Sequence, residues 1–104
     1  MLDEREHNSL LIDYYGDLLT KHQKEILQEY FNEDLSMNEI AENYQISKSA
    51  VQDLIKRSLV QMNNYEKILK LIQKDEKLNN IIDKMNNEDD QLVRKYAEQI
   101  NKIR

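Results

Sequence analysis

The chain has 104 residues with no Pro, one Gly and no Cys, and its formal net charge is −5. This length suits one domain, or a small domain with an extension, and the scarcity of turn-breaking residues predicts an all-helical protein. The lack of Cys excludes disulfides and thiolate chemistry, and no apolar run is long enough to cross a bilayer. Because the N-terminus is also acidic and polar, unlike a signal peptide, we expect a cytoplasmic protein.

Two helices are predicted in the first third of the chain. Over residues 3–19, apolar residues recur at helical spacing and form one inward stripe, which comprises Leu10, Leu11, Tyr14, Tyr15, Leu18 and Leu19. Thr20 then stands three positions before Gln23, which is the pattern of a capping box at the start of a second helix. The inward residues of that helix are Ile26, Leu27, Tyr30 and Phe31.

The stretch 36–57 has the spacing of a helix-turn-helix unit. Ser36 and Glu39 form a second capping-box pattern, and the small Ala41 stands where the following helix would cross. Ser47 caps that following helix. Its inner residues are Val51, Leu54 and Ile55. The second helix of such a unit often enters a DNA major groove.

The turn of this unit carries Gln45 where many such turns carry Gly. The chain at that position often needs a positive φ, which costs a non-Gly residue about 1 kcal/mol. We expect a well-packed three-helix core to absorb this cost.

The second helix of the unit is predicted to continue far beyond residue 57. Seven positions alternate in spacing between four and three, and six of them are apolar: Val51, Ile55, Ser58, Met62, Tyr65, Leu69 and Ile72. This pattern predicts one helix of roughly 26 residues, about 39 Å long at the standard rise.

A C-terminal extension of shorter helices should follow. The pattern predicts a joint at Asp75 or at Asn79 and Asn80, and then a short amphipathic helix that carries Leu78, Ile81, Ile82 and Met85. A polar break over residues 85–90, with Asn87 as a cap, precedes a last helix. On one side of the last helix lie Leu92, Val93, Tyr96, Ile100 and Ile103. These C-terminal helices could fold back on the long helix or dock on a second copy.

The predicted fold is therefore all-α, with a helix-turn-helix core of three or four helices, a long recognition helix and a C-terminal helical extension. We expect a helix-turn-helix domain over residues 1–64 and a packing or dimerisation extension over residues 65–104. The seven residues from Val51 to Ile72 form an apolar seam along the long helix. Its distal part, which comprises Met62, Tyr65, Leu69 and Ile72, would be exposed unless the C-terminal helices or a second copy covered it. On this basis we expect a homodimer.

Catalytic and metal-binding patterns are absent from the sequence. There is no Gly-rich phosphate loop, no set of His and Cys at metal-ligand spacing and no Ser, His and Asp grouping. His7 and His22 are far apart and lie among polar residues. We therefore expect no enzyme activity, no cofactor and no metal site.

The candidate nucleic-acid-binding residues are the exposed positions of the second helix of the unit: Lys48, Ser49, Gln52, Lys56 and Arg57. Lys and Arg would contact phosphates, while Ser and Gln could reach base edges. A solvated helix face explains the same residues equally well.

The distribution of charge argues against strong autonomous DNA binding. Residues 1–64 carry six Lys and Arg against twelve Asp and Glu, a net of −6, whereas residues 65–104 carry nine against eight, a net of +1. Proteins that bind DNA on their own are usually basic on the reading domain, because phosphate neutralisation supplies much of their affinity.

Residues 20–62 resemble the fourth region of bacterial sigma factors, through Thr20-x-x-Gln23, Glu39-Ile-Ala, Ile46-Ser47 and Ala50-Val51. The chain is more specifically similar to the YlxM family of small bacterial proteins over roughly residues 8–72. That similarity rests on Tyr14-Tyr15-x-x-Leu18-Leu19-Thr20-x-x-Gln23, Tyr30-Phe31, Asp34-Leu35-Ser36-x-x-Glu39-Ile40-Ala41-Glu42, Ile46-Ser47-Lys48-x-Ala50-Val51-x-Asp53-x-Ile55-Lys56-Arg57, Tyr65-Glu66-Lys67 and Leu69.

The YlxM resemblance implies a regulatory role in the signal recognition particle pathway, because the family's genes lie beside those of the particle's GTPase and its receptor. The implied partner is the particle's protein or its RNA. Two alternatives stay open: a DNA-binding transcription regulator, and a protein-interaction module that binds no nucleic acid.

Overall fold

The computed structural model describes residues 3–104, and every regular element in that range is helical, which confirms the all-α class. The helices are α1 (Glu4–Tyr15), α2 (Lys21–Phe31), α3 (Met37–Tyr44), α4 (Lys48–Leu69), α5 (Leu71–Asn86) and α6 (Gln91–Ile103), with a 3-10 turn at Gly16–Leu18. The chain divides into two compact units, the first ending at Lys70 and the second comprising Leu71–Arg104. The boundary expected at residue 64 lies inside α4.

The first unit is organised around α4, against which α1, α2 and α3 all pack. The buried apolar residues of this core are Leu11, Ile12, Tyr15, Ile26, Leu27, Ile40, Ala41, Val51, Ile55 and Met62. The predicted stripe of α1 extends too far, because the α-helix ends at Tyr15 and the 3-10 turn changes the period. Leu18, which was expected to be buried, is 55% exposed, whereas Ile12 is buried.

The predicted helix starts of the first unit are confirmed. At α2, the Gln23 N–H donates to Thr20 Oγ1 at 3.1 Å and the Thr20 N–H donates to Gln23 Oε1 at 3.0 Å. Ser36 and Glu39 form the same reciprocal pair at α3. The Ala50 N–H donates to the Ser47 hydroxyl oxygen at 3.0 Å, so that Ser47 caps α4. Each bond satisfies a backbone donor that the first helical turn leaves unpaired.

A polar network crosses the core between the start of α2 and the middle of α4. Ser58 is fully buried, and its hydroxyl accepts a hydrogen bond of 3.0 Å from Gln23 Nε2. Gln61 Nε2 donates to the Tyr65 hydroxyl at 2.9 Å on the next turn of α4. Gln23 therefore has two roles, because it completes the capping box and also satisfies the polar residue of the seam.

We expect Gln23→Ala to lower the free energy of unfolding by roughly 1–3 kcal/mol, because it removes a cap and leaves the Ser58 hydroxyl without its partner. Lys21→Ala is a suitable control, since Lys21 is an exposed residue of the same helix. Urea unfolding followed by circular dichroism would measure both variants. Equal, small effects of the two substitutions would contradict the assigned network.

The seam of α4 is confirmed in its first half and ends earlier than predicted. Val51, Ile55, Ser58 and Met62 are buried. The helix then has 22 residues rather than 26, because Lys70 adopts a left-handed conformation with φ of 57° and its N–H donates to the Glu66 carbonyl. Leu69 is 41% exposed at the helix end, and Ile72 belongs to the next helix.

The predicted joints of the C-terminal extension are wrong. Asp75, Asn79 and Asn80 lie inside α5, which begins directly after the left-handed residue. The cap of α6 is Asp90 rather than Asn87, since Asp90 Oδ1 accepts from the Leu92 N–H at 2.8 Å. The polar residues did not mark the joint, because α4 ends instead at Lys70, which adopts a left-handed conformation.

The second unit is a hairpin of α5 and α6. Within the described residues its buried side chains are Ile82 and Ala97. Arg104 joins the end of α6 to the first half of α5, donating to the Asp75 carbonyl and to the Asn79 side chain. Of the residues expected on one side of α6, Leu92, Tyr96, Ile100 and Ile103 are exposed and Val93 is half-buried.

The turn between α3 and α4 has the expected geometry. Gln45 adopts φ 56° and ψ 44°, in the left-handed region, and its N–H donates to carbonyls of the last turn of α3. The Ile46 N–H donates to the Ala41 carbonyl at 3.0 Å. These hydrogen bonds hold Gln45 in a left-handed conformation that Gly adopts more easily than other residues.

Gln45→Gly is expected to raise the free energy of unfolding by about 0.5–1 kcal/mol, because Gly adopts this conformation without strain. The same substitution at Gln28, within α2, should instead destabilise by about 1 kcal/mol. Thermal melts of both variants would test the assignment. A destabilised Gln45→Gly protein would mean that the left-handed turn is misassigned.

Candidate nucleic-acid interface

All five predicted site residues lie in the first ten residues of α4, and all are exposed. Lys48, Gln52 and Lys56 follow one another at intervals of four, so they form one stripe along the helix. Ser49 and Arg57 lie on the adjacent stripe. The face away from the core is therefore a single polar surface, which we call the α4 face and define by Lys48, Ser49, Gln52, Lys56 and Arg57.

An acidic residue lies within the α4 face. Asp53 falls between Ser49 and Arg57 on the second stripe, and its carboxylate pairs with the Arg57 guanidinium at 2.9 Å. No ion pair involves Lys48 or Lys56 among the described residues. Lys48 and Lys56 can therefore bind an anionic ligand without breaking an ion pair. Arg57 would first have to give up its ion pair with Asp53, or would bind the ligand while keeping that pair.

An acidic cluster lies around Tyr44, at the end of α3 before the turn. Burial raises the pKa of Tyr44 to about 12, helped by a hydrogen bond to Glu29 and by the negative charges of Glu29, Glu25 and Glu33. The Tyr44 ring also makes an edge contact with His22, with ring centroids 5.4 Å apart. Phosphates would be repelled on this side, so an approach along the α4 face is favoured.

The Tyr44 hydroxyl is expected to stay protonated well above the pH at which a free tyrosine ionises. Because its folded-state pKa of about 12 exceeds the unfolded value of 10.0, its contribution to stability is present below pH 10 and is lost as the pH rises towards 12. Ultraviolet titration of the wild type and of Tyr44→Phe would isolate its phenolate signal. A signal that is half complete near pH 10 would contradict the assigned environment.

The exposed surface of α4 continues beyond the residues that were predicted. Val60 is 57% exposed one turn after Lys56, and Asn64 and Lys67 are exposed further along. Their spacing repeats that of the α4 face, so the same helical periodicity could have identified them. They lie beyond the length of a typical recognition helix, and for that reason the predicted residues ended at Arg57.

Outside the α4 face, the described residues offer no metal site and include a solvent-open groove. No group of three or more His, Asp or Glu side chains in residues 3–104 is arranged to hold a metal ion. A solvent-open groove of about 730 Å³ in the first unit has an apolar wall that includes Phe31, Leu35 and Leu59. No residue of the α4 face lines that groove. Within the described range, no helix is both long and apolar enough to cross a membrane.

A family model described as UPF0122, "Putative helix-turn-helix protein, YlxM / p13 like", matches residues 2–103. The chain belongs to this family. A UPF0122 protein of Clostridium perfringens is 39% identical over 104 residues, covering 94% of this chain and 93% of the relative. UPF0122 proteins of Desulforamulus reducens and Clostridium kluyveri are 47% identical over 66 residues and 44% identical over 72 residues, covering 64% and 69% of this chain and 56% and 65% of those relatives.

The UPF0122 match agrees with the helix-turn-helix that the structure forms from α3, the Gln45 turn and α4. It spans both compact units, so the α5–α6 hairpin lies within the family's matched region.

Proposed function

We propose that this UPF0122 protein is a non-enzymatic regulatory protein that binds a structured RNA through the α4 face. The observation that supports it concerns Lys48 and Lys56, which make no ion pair within residues 3–104. Both lie on the exposed stripe of a helix in the recognition position of a helix-turn-helix. By resemblance to the YlxM proteins, the RNA is that of the signal recognition particle, bound free or within the particle.

The charge of the protein favours a shape-selective ligand over extended DNA. The chain carries a net charge of −5, and Asp53 neutralises part of the α4 face. Long-range attraction to a uniform duplex is therefore weak. A folded RNA presents unstacked bases and hydroxyl groups that a polar face of Ser and Gln can contact at short range.

A second candidate function is DNA-binding transcriptional regulation. Ser49 and Gln52 lie in the first turns of α4, where helix-turn-helix proteins contact base edges in the major groove. A third is a protein-interaction module without nucleic acid, which the exposed Val60 and the acidic Asp53 favour.

Side-by-side binding of labelled particle RNA and of labelled duplex DNA, over a series of salt concentrations, distinguishes these functions. We expect tighter binding to the RNA at every salt concentration. The logarithm of affinity should fall with the logarithm of salt with a slope of about −2 to −3, because only two or three cations can contact phosphates. Tighter DNA binding would favour the second function, and absence of binding to either would favour the third.

A further inference from the structure

The α5–α6 hairpin has an apolar face that neither of its two helices covers. Its members are exposed by between 37% and 86%, and they are Ile81, Leu92, Tyr96, Ile100 and Ile103. We call this set the hairpin face. On α6 its residues recur at intervals of four, four and three, which places them on one stripe.

Residues from both helices lie on the same side of the hairpin. Ile82 on α5 and Ala97 on α6 are buried where the two helices meet. Ile81 and Tyr96 each come one residue earlier. Each side chain is therefore rotated about its helix axis by about 100°, in the same sense, from the buried residue that follows it. The helices run antiparallel, as the contacts from Arg104 back to Asp75 show. In an antiparallel pair, equal turns in the same sense lead to the same side, so the two stripes form one surface.

The hairpin buries few of its own side chains. It comprises residues 71–104, with Ile82 and Ala97 as its buried side chains. Units of fewer than about 40 residues usually need further support, such as oligomerisation. Two such hairpins packed face to face would give a four-helix bundle, which closes with two copies.

We propose that the hairpin face binds the hairpin face of a second copy of this chain. Side chains exposed to this degree each offer roughly 100 Å², so the face offers roughly 500 Å² per copy and roughly 1,000 Å² for the pair. This area lies just below that of standard specific interfaces, in the range of weak and transient contacts, so we expect a reversible dimer.

The hairpin face lies within the extension over residues 65–104 that was expected to pack or dimerise, but the seam of α4 does not contribute to it. Dimerisation was expected to involve Met62 and Tyr65, but Met62 is fully buried and the Tyr65 ring packs 6.0 Å from that of Tyr15. The apolar surface available to a partner in the second unit is carried mainly by α6.

The lysines beside the hairpin face determine how the dimer responds to salt. Lys74, Lys77 and Lys84 occupy the same stripe of α5 as Ile81, and none has an ion pair among the described residues. Their aliphatic stems can extend the apolar contact, but two copies bring like charges together. Added salt should therefore strengthen the dimer, whereas it would weaken binding to an anionic membrane or to an acidic protein.

Sedimentation equilibrium of the full-length chain, from micromolar to millimolar concentration and at low and high sodium chloride, tests the proposal. We expect a monomer–dimer equilibrium that shifts to dimer with salt. Tyr96→Glu should weaken it at least about tenfold, because a charge would be buried at the centre of the contact. Gln91→Glu is the matched control, since this exposed residue of α6 lies on the other side and should leave the equilibrium unchanged.

Circular dichroism would establish that each variant keeps its helical content, and Ile81→Glu on α5 provides a second disruption if Tyr96→Glu loses helix. A monomer at all concentrations, association that weakens with salt, or equal effects of Tyr96→Glu and Gln91→Glu would each overturn the proposal. So would a monomer that instead binds vesicles of phosphatidylglycerol.

Discussion

Reversing the charge of Lys56 and Arg57 together, as Lys56→Glu with Arg57→Glu, is expected to weaken RNA binding about 100-fold or more at moderate salt. The change removes two phosphate contacts and adds two repulsive charges on the α4 face. Because both residues are exposed, helical content should be retained. Fluorescence anisotropy with labelled RNA measures the loss, and circular dichroism measures the fold.

A control with the same change in net charge separates the site from general electrostatics. Lys21→Glu with Lys95→Glu also lowers the net charge by four, and both residues are exposed on other helices, α2 and α6. We expect this control to reduce affinity only a few-fold, since neither lysine belongs to the α4 face and charges outside the contact surface are screened by salt. Equal losses in the two double variants would place binding outside the α4 face.

Enlarging Ala41 should destabilise the first unit more than most single substitutions. Ala41 is 8% exposed on α3, which packs directly against α4. Ala41→Leu adds three carbon atoms at this crossing and is expected to cost roughly 1–3 kcal/mol. For a unit of this size, each kcal/mol lowers the melting temperature by roughly 4–8 °C.

Ala50→Leu is the matched comparison, because Ala50 is exposed in the first turn of α4 and the added side chain meets solvent. We expect its melting temperature to stay close to that of the wild type. If both variants melted alike, the close approach of α3 and α4 at Ala41 would be contradicted.

Short sequence patterns in the first unit predicted its helix starts well, because each pattern is compatible with only one local structure. A hydroxyl followed three residues later by Glu or Gln satisfies the open N–H groups of a helix start, and Thr20 and Ser36 both do so. The inward positions of α3 and α4 followed from helical periodicity. Gln45 was also assigned correctly, since the path of a helix-turn-helix requires a left-handed residue there.

The second unit was predicted less well because its sequence does not determine where α4 ends or what covers the apolar stripe of α6. The end of α4 depends on Lys70 adopting a left-handed conformation, and nothing in Lys itself favours that over continuing the helix. Apolar periodicity on α6 correctly marked one stripe, but it could not show whether α5 or another molecule would cover it. Folding back on the long helix and docking on a second copy were therefore both left open, and in the structure Leu92 and Tyr96 are exposed.

The α4 face could be predicted as a set of exposed residues, but its electrostatics could not. Sequence placed Lys48 and Lys56 on the outer side of the helix, and the structure agrees. The pairing of Arg57 with Asp53 depends on the rotamers of both side chains, which spacing alone does not determine. Contact between the α4 face and RNA also depends on the shape of the RNA, which the sequence of the protein does not contain.

The most direct measurement of the central claim is a nuclear magnetic resonance titration of the isotopically labelled full-length chain with the particle RNA. We predict that backbone amide shifts change first and most at Lys48, Ser49, Gln52, Lys56 and Arg57, with smaller changes towards Lys67. Shifts confined to α2, to the groove beside Phe31 or to the α5–α6 hairpin, with the amides of the α4 face unchanged at saturating RNA, would contradict the claim.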